Sequence, residues 1–107
     1  MKKILVVEDD ADQRYLLAKM LRMRGHDVGE AESLAQALAI KAEYDLVVTD
    51  YRLGPTEVGT ALAPGPPPVV VISGFGRPAD YAGPWVLKPV AFEVLLPVLE
   101  PYLGPRD

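Results

Sequence analysis

Residues 2–10 read KKILVVEDD: two lysines, four consecutive aliphatic residues, then three acids. An unbroken apolar run of this length, bounded by charge on both sides, has the pattern of a strand covered on both faces, as in a parallel sheet, rather than the alternation of a sheet with one wet face. The same signature recurs in DLVVTD (45–50) and VVVIS (69–73), and in shorter form in WVLK (85–88), while HDVGEA (26–31) reads as a weaker strand. Helical segments fall between them. Asp10 stands as N-cap with Gln13 three residues on, a capping-box spacing, ahead of the stripe Leu16, Leu17, Met20 and Leu21, and this helix stops at Gly25. Ser33 and Gln36 repeat the start signal before Leu34, Ala37 and Leu38. A last helix is predicted through AFEVLLPVLEPYL (91–103), with Leu95, Val98, Leu99 and Tyr102 on one face. Strands alternating with helices predict an α/β fold, a doubly wound five-stranded parallel sheet.

The totals agree with one domain. A chain of 107 residues, half apolar and about a quarter charged, buries enough surface for an ordinary core, so residues 1–107 are expected to form a single domain. With no cysteine, disulfides and thiolate metal sites are excluded. The four apolar residues before the acids are too few for a secretory signal, which makes a cytoplasmic protein the default expectation. Residues 58–76 carry no charge but hold four prolines and four glycines, so a membrane span is not expected. The net charge is −4 with scattered basic residues, which argues against nucleic acid as a partner.

In a doubly wound sheet, ligands sit beyond the carboxyl ends of the strands. That rule collects Glu8 and Asp9, Asp50, Ser73 and Lys88 on one rim. Two carboxylates about 5 Å apart repel by roughly 3 kcal/mol at an effective dielectric near 20, and a hard divalent cation held through oxygens offsets this; Mg²⁺ suits one or two carboxylates, a carbonyl and waters. His26 is the sole imidazole and reads as a loop residue, so zinc is disfavoured. Lys88 adds a point charge and Ser73 a hydroxyl donor. Together these groups suit a phosphoryl group held near a nucleophilic oxygen. Each has a plainer reading alone: an acidic turn and helix cap, a strand end, a turn serine, a surface lysine. Asp10 and Asp12 are assigned to the cap, Met20 and Met23 to core filling, and Trp85 and Tyr51 are open to simple packing roles.

The segments ILVVEDD, DLVVTDYRLG, VVVISG and VLKP, in this order, resemble bacterial response-regulator receiver domains over essentially the whole chain. The resemblance implies a flavodoxin-like sheet of strand order 2-1-3-4-5. It implies Asp50 as phosphoacceptor, Mg²⁺ held by Glu8, Asp9, Asp50 and the backbone carbonyl of Arg52, Lys88 pairing with phosphoryl oxygens, and Ser73 as the switch hydroxyl coupled to Trp85. The Lys88–Pro89 bond is implied to be cis. The partners implied are a histidine kinase or phosphotransfer protein and a downstream protein that the sequence does not identify; oligomeric state is left open. Such a chain is no conventional enzyme but catalyses its own phosphorylation and dephosphorylation.

The second half departs from the family pattern. All eleven prolines lie from Pro55 onward. The segments from Asp50 to Ser73 and from Ser73 to Lys88 are each shorter than the family's by roughly two helical turns. The third family helix is therefore expected to be vestigial, within TEVGTALA (56–63), and the fourth to be at most one turn near PADY (78–81). The tract PGPPP (64–68) is expected to act as a stiff extended connector into the fourth strand. Pro97 is expected to kink the last helix. Read as a complete chain, the protein is expected to be a stand-alone phosphoacceptor that signals by protein contact. A phosphorylation-independent interaction module of the same fold is the alternative, and Arg52, standing where a metal-dependent phosphatase would carry a second acid, weighs against that third class.

Overall fold

A computed structural model describes residues 2–103. Five parallel strands, β1 (Lys3–Val7), β2 (Asp27–Ala31), β3 (Leu46–Asp50), β4 (Val69–Ser73) and β5 (Trp85–Leu87), pair in the order β2-β1-β3-β4-β5. Three helices accompany them: α1 (Ala11–Met23), α2 (Leu34–Ile40) and α3 (Phe92–Leu103). The doubly wound order expected from the sequence is the one observed.

Successive strand residues alternate between two cores, which is why the apolar runs are continuous. Ile4 and Val6 face one side with Val48, Val70 and Ile72, closed by Ala18 and Leu21 of α1 and Leu95 and Leu99 of α3. Leu5 and Val7 face the other side with Val47, Val69 and Val71, closed by Ala37 of α2, Leu53 and Leu62. On α1 the buried stripe is Ala18 and Leu21, with Leu17 packed beside them. Leu16 and Met23 are exposed, 57% and 77%, so Leu16 is not part of the buried stripe and Met23 does not fill the core.

The second face is where the chain is trimmed. Between β3 and β4 the only helical element is a single 3-10 turn, Gly59–Leu62, and between β4 and β5 there is no helix among the described residues. Residues 78–81 form a turn in which Tyr81 N–H donates to the Pro78 carbonyl at 3.2 Å. Aromatic rings cover the sheet there. Tyr51, Tyr81 and Trp85 pack against this core, with ring centroids 5.2 Å apart for Tyr51–Trp85 and 5.8 Å for Tyr81–Trp85. A large ring covers more apolar surface per residue than an aliphatic side chain, so few residues suffice where a helix is missing.

The proline connector is not extended throughout, contrary to expectation: Gly65 has φ 76, a left-handed value closed to the polyproline conformation. The Pro66–Pro67 and Lys88–Pro89 bonds are cis. Lys41 Nζ ties the connector down by donating to the carbonyls of Leu62 and Pro64, both at 3.0 Å. The Pro68 carbonyl already accepts from Val47 N–H at 2.9 Å, so the tract delivers the chain into register with β3. Helix α3 is continuous from Phe92 to Leu103 through Pro97 and Pro101, and both prolines are exposed. The N–H that Pro97 lacks is thus lost on the solvent face, where water can satisfy the Glu93 carbonyl.

Candidate functional site

Register builds the site. The chain runs outward from β1 to β2 and returns to β3, so the crevice of this sheet opens between β1 and β3. Val7 pairs with Thr49, which places Glu8 beside Asp50; Asp50 pairs with Ile72, and Ser73 with Leu87, so Ser73 and Lys88 follow as the next steps of one rim.

Glu8, Asp9 and Asp50 each bring a carboxylate oxygen within 4.8 Å of the others. Glu8 is buried, Asp50 half-buried and Asp9 exposed. Lys88 Nζ stands over the cluster, 3.1 Å from Asp50 Oδ1 and 3.7 Å from Glu8 Oε2. Burial pushes the Glu8 carboxyl up from 4.5 to about 7; the N–H of Asp10 donating to Oε1 at 3.1 Å and the charge of Lys88 oppose the rise, while the negative charge of Asp50 and a shared hydrogen bond with Asp9 add to it. Without a cation, the cluster therefore relieves part of its repulsion by holding a proton. A divalent ion bound by oxygens would replace that proton, and the hard, all-oxygen donor set fits Mg²⁺ chemistry.

Around this cluster the other expected residues fall into place unequally. Ser73 is buried, and its Oγ accepts from Phe75 N–H at 3.0 Å. Trp85 Nε1 donates to the Phe75 carbonyl at 2.8 Å, so serine and tryptophan are linked through one residue. Arg52 is exposed and opposes Val58 in an antiparallel bridge. The flanking bonds run from Gly59 N–H to the Tyr51 carbonyl and from Leu53 N–H to the Glu57 carbonyl, which leaves the Arg52 carbonyl outside the bridge.

Gln13, Arg14 and Gly59 play roles at the site that the sequence did not indicate. Asp10 Oδ1 caps α1 by accepting from both Asp12 and Gln13 N–H at 3.0 Å, but the Gln13 side chain does not complete a capping box; its Oε1 accepts from Lys88 Nζ at 3.0 Å. Arg14 Nη1 donates to the Glu8 carbonyl at 2.8 Å while Nε pairs with Glu30, bracing the backbone of the acidic turn. Gly59 lies so close beneath β3 that a Cβ there would strike the Asp50 carbonyl and the Thr49 side chain. No local pattern signals these, because each acts on a residue far away in sequence or across a loop.

A family model described as the response regulator receiver domain matches residues 4–82. Solved structures extend the likeness through β5 and α3. The BeF3-activated N-terminal receiver domain of Klebsiella pneumoniae RstA has 26% identity and a TM-score of 0.80, covering 96% of this chain and 99% of its own. The N-terminal domain of a response regulator/sensory box/GGDEF three-domain protein from Carboxydothermus hydrogenoformans has 27% identity and a TM-score of 0.80, covering 95% and 94%. A CheY-like response regulator receiver domain from Methylobacillus flagellatus has 27% identity and a TM-score of 0.79, covering 95% and 98%. No curated protein matches the chain. The matched segment holds Glu8, Asp9, Asp50 and Ser73, and the chain belongs to the response regulator receiver domain family.

Proposed function

We propose that residues 1–107 act as a single receiver domain that accepts a phosphoryl group on Asp50 from a sensor histidine kinase or phosphotransfer protein and signals through protein contact. The observation that carries this reading is Lys88 Nζ held 3.1 Å from Asp50 within a cluster of three carboxylates. Glu8, Asp9, Asp50 and the Arg52 carbonyl would hold Mg²⁺, which when bound supplies positive charge that offsets the carboxylates and the incoming phosphoryl oxygens. An oxygen of Asp50 attacks phosphorus; the P–O bond forms as the P–N bond to the donor imidazole breaks, and that electron pair stays on the imidazole nitrogen. Lys88 shifts its contact from the carboxylate to a phosphoryl oxygen, stabilising charge where it accumulates. The Ser73 hydroxyl turns from accepting the Phe75 N–H to donating to another phosphoryl oxygen, and Trp85 senses the move through the Phe75 carbonyl. Dephosphorylation is attack of water on phosphorus, returning the Asp50 carboxylate and inorganic phosphate.

Incubation with acetyl phosphate and Mg²⁺ should add one phosphoryl mass to the chain, and the adduct should be absent from Asp50→Ala. An unmodified chain, or a modified Asp50→Ala, refutes the assignment.

The missing helix between β4 and β5 favours a second reading, an interaction module of receiver fold that does not switch. Trp85 fluorescence separates the two. A response to beryllofluoride, a mimic of the acyl phosphate, that is lost in Asp50→Ala supports switching; no response supports the static module.

A further inference from the structure

We infer that Gln13 is a positioning residue for phosphoryl transfer, holding Lys88 over the acceptor through a neutral hydrogen bond; the inference rests on the phosphoacceptor reading above. Lys88 Nζ has three neighbours at the rim: Asp50 Oδ1 at 3.1 Å, Glu8 Oε2 at 3.7 Å and Gln13 Oε1 at 3.0 Å. The first two are carboxylates that a divalent cation competes for. The amide oxygen is neutral, and a hard cation taking the carboxylates leaves it in place.

An ammonium carries three N–H donors. One given to Gln13 leaves two for phosphoryl oxygens, so the bond to Gln13 is compatible with the working state, whereas the pairs to Glu8 and Asp50 have to loosen. Lysine otherwise keeps wide rotamer freedom on a four-carbon stem, and part of that freedom is removed before the phosphoryl donor arrives. The placement is reproducible from the fold. The Asp10 cap takes the Gln13 backbone N–H and starts α1, so the side chain leaves the first turn towards the rim. It also lines a groove of about 590 Å³ between α1 and the β5–α3 connection, whose apolar wall includes Leu17, Met20, Val90 and Phe92 beside Lys88. The lysine stem borders this apolar wall, and Gln13 is the polar group that meets its head there.

Gln13→Met tests this, since it preserves length and removes the acceptor at an exposed position where fold stability is little affected. At saturating Mg²⁺ the rate of Asp50 phosphorylation by acetyl phosphate should fall roughly tenfold, as for loss of one charge-assisted hydrogen bond, while Mg²⁺ affinity by calorimetry stays within about twofold. In a Lys88→Met background the same substitution should change nothing further, because the residue acts only through Lys88. A wild-type rate in Gln13→Met, or an equal loss with Lys88 already removed, overturns the inference and leaves the phosphoacceptor reading intact. A wild-type chain that takes up no phosphoryl group overturns both.

Discussion

Glu8 carries the largest electrostatic tension in the protein, because it is buried between two other acids and its proton is retained to about pH 7 in the absence of a cation. The consequence for stability has a definite sign. Below pH 4.5 both folded and unfolded chains carry the proton; between about 4.5 and 7 the unfolded chain releases it and the folded one keeps it. Stability contributed by this group is thus full below the lower value, declines as pH rises through the window and is lost above the upper one. Thermal melts in chelator should show the wild type losing stability relative to Glu8→Gln from pH 4.5 to 7, with parallel curves beyond. A constant difference across that range would mean Glu8 is ionised throughout. Gln13, by contrast, shows how a residue can satisfy a local pattern and be used otherwise. Its spacing from Asp10 is that of a capping box, and only the arrival of Lys88 from 75 residues away redirects the side chain.

At the level of elements, the connections say more than the strands. Gly59 weakens a helix by propensity, but its role is steric: the backbone passes so close under Asp50 that no side chain fits. Gly59→Ala should cost about 1–3 kcal/mol in denaturant melts, the usual penalty of overpacking, and should displace the end of β3; an unchanged midpoint would show that the loop moves aside freely. Pro97 makes the opposite case. It is exposed on α3 and leaves the Glu93 carbonyl to solvent, so Pro97→Ala restores a helical bond and should stabilise the protein by about 1–3 kcal/mol. A destabilised Pro97→Ala would indicate that the helix is shaped around the proline.

On the scale of the whole molecule, one face of the sheet keeps its helices and the other gives up two of them for a 3-10 turn, a tied-down proline connector and three packed rings. The rim is unaffected, because strand register sets it and not the crossovers. Binding of Mg²⁺ there should stabilise the fold by mass action: at ten times Kd the gain is roughly 1.4 kcal/mol, or about 6–10 °C in Tm for a chain of this size. Asp50→Asn should reduce that gain while raising Tm without metal, since one repelling charge is gone. A melt indifferent to millimolar Mg²⁺ in the wild type would remove the cation from the proposal.

The strands, their order along the chain and the rim residues were legible in the sequence, because a strand buried on both faces must be apolar at every position and its last residue must turn polar on reaching water. Runs such as ILVV and VVVI admit little else. What covers the trimmed face was decided only by tertiary structure. Tyr51, Tyr81 and Trp85 lie up to 34 residues apart, and no periodicity joins them; they meet because β4 places β3 and β5 on either side of it. The same holds for Gln13 with Lys88 and for Gly59 with Asp50. Local composition dictates which segments become strands, since backbone and solvent act residue by residue, but contacts between distant side chains exist only once the sheet has brought its edges together.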